Sequence, residues 1–283
     1  MNSLPSISIV IEFENADRVA WDRVGTTLHA LAGQLREVSF RSHLPKVEII
    51  CVHAGTSEDS EPLRRQVSTE IKRVEDLADV DCISLPDGRY YELKNAGITA
   101  ARGELIVLLD SDVIPENDWL AKLLSPFSES TAIAVTGHTF LGYGDLISRT
   151  FALMWVFPLR QHDQQALDRR PLVANNSAFR SKWLKDNLFP VNDGFKVSCT
   201  LMARRLQDRG HTLIRVPAKV SHAPLTGFHF LVWRALVTGR DADRKVIALK
   251  GKKMFTRIAR ALKNGIKMEL RTIRRVLAHY RKV

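Results

Sequence analysis

Residues 104–112 read ELIVLLDSD, and this stretch decides the fold. Leu105 to Leu109 form an unbroken apolar run, bounded by Arg102-Gly103 before it and by two acids after it. So short a run of branched residues reads as a strand covered on both faces, the kind found inside parallel sheets. Working outward, Tyr90–Ala101 has helical character and ends at Arg102-Gly103, where Gly suits a C-cap. Ser6–Phe13 alternates and is rich in branched residues, so it predicts an opening strand, and Val47–His53 and Val80–Leu85 are further strands. Between them, apolar residues at helical spacing over 18–38 (Trp21, Val24, Leu28, Leu31, Leu35) and helix-like sequence over 61–77 complete the pattern. Strand and helix in alternation mean an α/β domain with a mostly parallel sheet and flanking helices. Ligands of such sheets collect at the carboxyl ends of the strands, which points at Asp110, Ser111 and Asp112.

With 283 residues, the chain can bury a sizeable core. Its formal charge of +11 is localised: residues 244–283 hold 14 Lys and Arg against one acid, Glu269, leaving 28 basic and 30 acidic residues before them. The body is therefore not basic, which argues against a dedicated nucleic-acid groove; no specific nucleic-acid partner is expected. Three widely spaced cysteines without a CxxC pair suggest neither a zinc site nor a disulfide framework. The N-terminal residues lack a basic stretch ahead of an apolar one, so they do not read as a secretory signal. No uncharged apolar run reaches the roughly 18–20 residues that span a bilayer. The expected address is the cytoplasm, with peripheral contact at the inner face of the membrane.

Two carboxylates flanking one residue at a strand end can share a divalent cation with substrate phosphate oxygens. Asp and Ser are also common turn formers, so the pattern alone leaves a plain turn open. Lys94-Asn95-Ala96-Gly97, Ala101-Arg102-Gly103, the apolar strand and Asp110-Ser111-Asp112 follow one another, and residues 90–124 as a whole resemble the core of family 2 glycosyltransferases. The resemblance extends over most of residues 6–224. It implies a GT-A fold, Rossmann-like, over residues 1–225, with 226–283 as a basic helical extension. It also implies inverting transfer of a sugar from a nucleotide-diphosphate donor to a hydroxyl on a glycan or lipid-linked acceptor. By that resemblance Asp110 faces the donor's ribose and sugar, and Asp112 holds Mg2+ or Mn2+ against the diphosphate, with Asp110 and His222 as further candidate ligands. Glu14, Asn15, Lys94 and Asn95 fall at donor-binding positions. VANNSAFRSKWL at 173–184 resembles the acceptor-side segment, with Asn175, Asn176 and Arg180 as candidates; Asn175-Asn176-Ser177 also suits a helix N-cap. RVPAKVSHAP at 215–224 resembles the last strand, whose His is His222 here.

The chain departs from the family in three places. Its first strand ends in Glu12-Phe13-Glu14-Asn15 rather than Pro-x-Tyr-Asn, and its second in His53-Ala54-Gly55-Thr56 rather than Asp-Asp-Gly-Ser. The acidic pair that supplies the family's base falls on Ser198-Cys199, which makes Asp193 in FPVNDGFK the candidate base, although Asn192-Asp193-Gly194 is also good turn chemistry. Two other readings remain. A GT-A-like protein could bind a nucleotide sugar or glycan without turnover. A nucleotidyltransferase would also use paired carboxylates, but the first strand here lacks the Gly-rich loop of such enzymes.

In the tail, Phe255, Ile258, Leu262, Ile266, Leu270, Ile273, Leu277 and Tyr280 step by three or four, with Lys and Arg around them. This predicts a basic amphipathic helix suited to an anionic membrane surface, or to packing on the body or a partner chain.

Overall fold

The computed structural model describes residues 5–14, 21–41, 45–128, 131–141, 172–191 and 195–222, with single helical positions between 236 and 277. The chain divides into two compact units. The first comprises 1–139, 170–191 and 199–222, and the second 140–169, 192–198 and 223–283.

The first half of the chain runs β1 (Ile7–Glu12), α1 (Trp21–Arg41), β2 (Val47–His53), α2 (Ser60–Glu70), β3 (Ala78–Ser84), α3 (Tyr90–Ala100) and β4 (Leu105–Asp110). Then follow β5 (Val113–Pro115), α4 (Trp119–Leu124), β6 (Ala134–Leu141), β7 (Asn176–Arg180), α5 (Ser181–Lys185), α6 (Phe195–Asp208) and β8 (Leu213–His222). The sheet order is β3-β2-β1-β4-β7-β6-β8-β5. β1 pairs in parallel with β2 and β4, and β2 with β3, whereas β4–β7, β6–β7 and β5–β8 are antiparallel.

Every residue of β1 and β4 is buried, the consequence of two apolar strands placed centrally with cover on both faces. β3 lies at the sheet's edge and keeps Asp79 and Asp81 exposed, charges that discourage a further strand from adding there. α1 buries Val24, Leu28, Leu31 and Leu35, the helical stripe legible in the sequence. The helix-like sequence at 61–77 resolves into α2 and a 3-10 turn over 72–74, which together bury Val67, Ile71 and Val74.

Two glycines act by close approach. A Cβ on Gly97 would stand 2.9 Å from Val52 Cγ2 and closer still to Val10, so glycine lets α3 lie on β1 and β2. Gly103 is not the C-cap of α3; Ala101 is. A Cβ on Gly103 would meet Ser8 N at 2.6 Å, and its own N–H donates to Ser8 Oγ at 2.8 Å, so the residue is small because β1 passes against it. Pro115 closes β5, an edge strand where a missing N–H is tolerated.

Candidate active site

β1 and β4 are in register through Glu12 opposite Asp110, so two carboxylates meet where both strands end. Asp110 is 8% exposed in its side chain and Lys94, from the second turn of α3, is fully buried. The Lys94 ammonium lies 2.7 Å from Asp110 Oδ1 and 3.3 Å from the Leu109 carbonyl. The Tyr90 hydroxyl donates to the same carboxylate, 3.0 Å from Oδ1 and 3.1 Å from Oδ2. Burial, and then the Asp110 charge, push the phenol well above its usual range, so its proton is available for that bond. Burial is also the main force raising the Glu12 carboxyl well above the ordinary carboxylate range, with Asp110 adding to it and Lys94 opposing. Glu12 accepts the Glu14 N–H at 2.9 Å, which shapes the turn leaving β1.

Asp112 is 5% exposed. Val113 pairs with His222, and this register brings His222 Nε2 to 3.5 Å from Asp112 Oδ2. Burial raises the Asp112 carboxyl, and the charge on His222 opposes that shift. A carboxylate oxygen and an imidazole nitrogen this close are a donor set that fits one divalent ion, with nitrogen favouring Mn2+ over Mg2+. Among the described residues, no group of three His, Cys, Asp or Glu side chains is placed to hold a metal. The expected trio of Asp110, Asp112 and His222 is therefore divided. Asp112 and His222 form a pair, while both Asp110 oxygens are engaged by Lys94 and Tyr90.

Several other sequence candidates are held by hydrogen bonds within the fold. Asn95 donates to the Phe189 carbonyl at 2.8 Å and accepts the Phe189 N–H at 3.0 Å, tying α3 to the segment after α5. Asn176 pairs with Leu109, next to Asp110, and its fully buried amide accepts the Trp119 indole N–H and donates to the His138 and Ala218 carbonyls. Asn175, also buried, accepts the Thr139 hydroxyl at 3.0 Å. The Asn pair thus belongs to a strand and its approach, and the helix N-cap is Arg180. Arg180 pairs with Leu105 at the far end of β4, about 16 Å along the strand from the Asp110 end. It donates to the Phe127 and Ala132 carbonyls there, so the structure does not bring it to the site. Glu14 follows β1, while Asn15 and Asp193 lie outside the described residues. In place of the family's acidic pair, Ser198 is buried and Cys199 Sγ is 3.2 Å from the Tyr91 hydroxyl.

At the end of β2, His53 Nε2 lies 2.8 Å from Ser60 Oγ, and burial lowers its pKa. Glu12 and Tyr90 were missed as site residues. An acid closing an apolar strand was a usable signal for Glu12; nothing local marks Tyr90.

The family model described as Glycosyl transferase family 2 matches residues 8–205. Glycosyltransferase AglE of Haloferax volcanii is 25% identical over 142 residues, half of this chain and 42% of that protein, so the match spans less than half the relative's length. Mannosyltransferase PcManGT from Pyrobaculum calidifontis, solved with GDP-Man and Mn2+, superimposes with a TM-score of 0.57 at 17% identity, covering 98% of this chain and 75% of that one. Glucosyl-3-phosphoglycerate synthase from Mycobacterium tuberculosis, solved with Mn2+, UDP and phosphoglyceric acid, gives 0.55 at 13% identity, covering 88% and 80%. At such identities the structural likeness speaks for the fold.

Proposed function

The chain belongs to glycosyl transferase family 2 and has the GT-A fold, and on that premise we propose that it moves a sugar, with inversion, from a nucleotide-diphosphate donor to a hydroxyl acceptor on a glycan or lipid-linked glycan. The observation that carries this reading is the Asp112–His222 pair, buried beside the clamped Asp110 at the carboxyl end of the parallel strands. Asp112 and His222 would hold a divalent ion, Mn2+ or Mg2+, which would supply Lewis-acid stabilisation of charge on the leaving diphosphate. Asp110 accepts from donor hydroxyls, and the buried Lys94 holds that carboxylate in place through their 2.7 Å ion pair. Asp193 takes the proton of the attacking acceptor hydroxyl. Asp112→Asn is expected to abolish metal-dependent turnover of nucleotide sugars; full turnover in that variant overturns the reading.

Ser198 and Cys199, standing where the family carries its acidic pair, favour a second reading: a protein that binds a nucleotide sugar without transferring it. Asp193→Asn separates the two. Loss of turnover with donor binding retained supports catalysis, whereas a wild-type protein that binds donor and never turns over supports the binder.

The enzyme works on the cytoplasmic face of a membrane, held by its tail. Among the described residues no helix is long and apolar enough to cross a bilayer. In the tail, Ile258, Leu262, Ile266, Leu270, Ile273 and Leu277 are each 50–69% exposed, and Lys263, Lys267 and Arg274 are exposed beside them. An apolar stripe with basic neighbours suits insertion among anionic headgroups, where each basic residue contributes about 1 kcal/mol. Removal of residues 252–283 is expected to abolish co-sedimentation with anionic liposomes; equal partitioning with and without them refutes the anchor.

A further inference from the structure

Tyr90 belongs to none of the motifs that mark the site, yet it touches both members of the ion pair at its centre. Its hydroxyl sits almost equally far from the two Asp110 oxygens, at 3.0 and 3.1 Å, and the Lys94 ammonium lies 4.7 Å over the centre of its ring. Lys94 reaches Oδ1 alone and leaves the carboxylate free to turn about its last bond. A donor shared between both oxygens removes that freedom. A carboxylate accepts about four hydrogen bonds, so with Lys94 on Oδ1 and Tyr90 shared between the two, Oδ2 keeps capacity for a further donor.

Tyr90 is itself held. It is the first residue of α3, after a turn in which Asp87 takes φ 58° and a capping contact in which Arg89 N–H donates to Glu92 at 2.9 Å. Its ring meets Tyr91 edge-on at 4.8 Å, and Tyr91 stacks on Phe189 at 5.3 Å.

We propose that Tyr90 is a positioning residue for the donor: it fixes the plane of the Asp110 carboxylate so that Oδ2 meets a hydroxyl of the nucleotide sugar. This rests on Asp110 being a donor-binding group, as the proposed function has it.

The test is calorimetric titration of the full chain with UDP, GDP, ADP and dTDP in the presence of Mn2+, using the wild type, Tyr90→Phe and Tyr91→Phe. Losing a hydrogen bond to a charged acceptor is expected to weaken the bound nucleotide about tenfold in Tyr90→Phe. The same loss should lower its melting temperature by a few degrees, and Tyr91→Phe, which loses the hydroxyl facing Cys199, should bind nucleotide as the wild type does. With a transferable acceptor, the donor KM rises in Tyr90→Phe and the acceptor KM does not. Nucleotide affinity within twofold of wild type in Tyr90→Phe overturns the proposal and leaves the glycosyltransferase reading standing, as does an equal loss in Tyr91→Phe, which would make the effect one of packing. A wild type that binds none of the four nucleotides overturns the donor reading and the proposal together.

Discussion

Replacing Lys94 with Met tests the centre of the site most severely. The side chain is fully buried and its ammonium is the ion-pair partner of Asp110, while Glu12 stands opposite on the neighbouring strand. Methionine keeps nearly the same volume and removes the charge with its two hydrogen bonds, leaving a buried carboxylate with the Tyr90 hydroxyl alone. Breaking one side of a buried ion pair costs about 3–5 kcal/mol. For a unit of this size, each kcal/mol moves the midpoint by roughly 2–4 °C, so a fall of about 6–20 °C is expected by scanning calorimetry. Because the penalty comes from the stranded charge, Lys94→Met combined with Asp110→Asn should recover at least half of the lost stability, and the thermodynamic cycle should show a coupling of about 1–3 kcal/mol. The bond from Lys94 to the Leu109 carbonyl is not restored, which sets the limit of recovery. A single-variant loss below about 2 °C, or strict additivity in the double variant, refutes the account of Asp110 and Lys94 as a coupled buried ion pair.

Glu12→Gln should stabilise the protein, and more so at pH 7.5 than at pH 4. Burial and Asp110 raise the native carboxyl, so from about pH 4.3 upward the unfolded chain releases this proton before the native protein does, and wild-type stability falls as pH rises. The amide removes that slope, and a melting difference that stays constant across the range refutes the assignment. Two glycine variants should move urea midpoints in opposite directions. Gly97→Ala loses about 1–3 kcal/mol because its Cβ meets Val10 and Val52. Gly33→Ala, in α1 with no atom within 4 Å of the new methyl, gains about 0.5–1 kcal/mol. Arg180→Met should lower the melting temperature, since it strips the Phe127 and Ala132 carbonyls of a charged donor, and should leave nucleotide affinity unchanged. Weaker nucleotide binding at an unchanged melting temperature would return Arg180 to the site.

Much of the fold was legible because its signals are local. The apolar run 105–109 became the central strand β4, the stripe Val24, Leu28, Leu31, Leu35 became the buried face of α1, and Val47–His53 is a strand to the residue. Asp110 and Asp112 could be named because a strand's end is written in the chain around it. The side-chain amides were harder. An exposed Asn that binds a ligand and a buried Asn that ties strands together have the same neighbours in sequence. Asn176 has the bonds of the second kind, and only the carbonyls brought to it by distant segments show it. Gly103 was misread for the same reason, since what requires its smallness is β1, nearly a hundred residues earlier.

By itself, then, the sequence determined the alternation of strand and helix, the placement of two acids at the end of a buried strand, and the separation of a basic tail from a near-neutral body. Tertiary structure alone decided how those acids differ. The parallel register of β1 and β4 sets Glu12 beside Asp110, one turn of α3 delivers both Tyr90 and Lys94 to that carboxylate, and the antiparallel pairing of β5 with β8 gives Asp112 to His222. Hydrophobic periodicity acts between residues a few positions apart, so it survives in a string of letters. The charge state and bonding of a buried carboxylate depend on whatever the fold carries to within about 3 Å of it, and that is set by strand register rather than by neighbours in the chain.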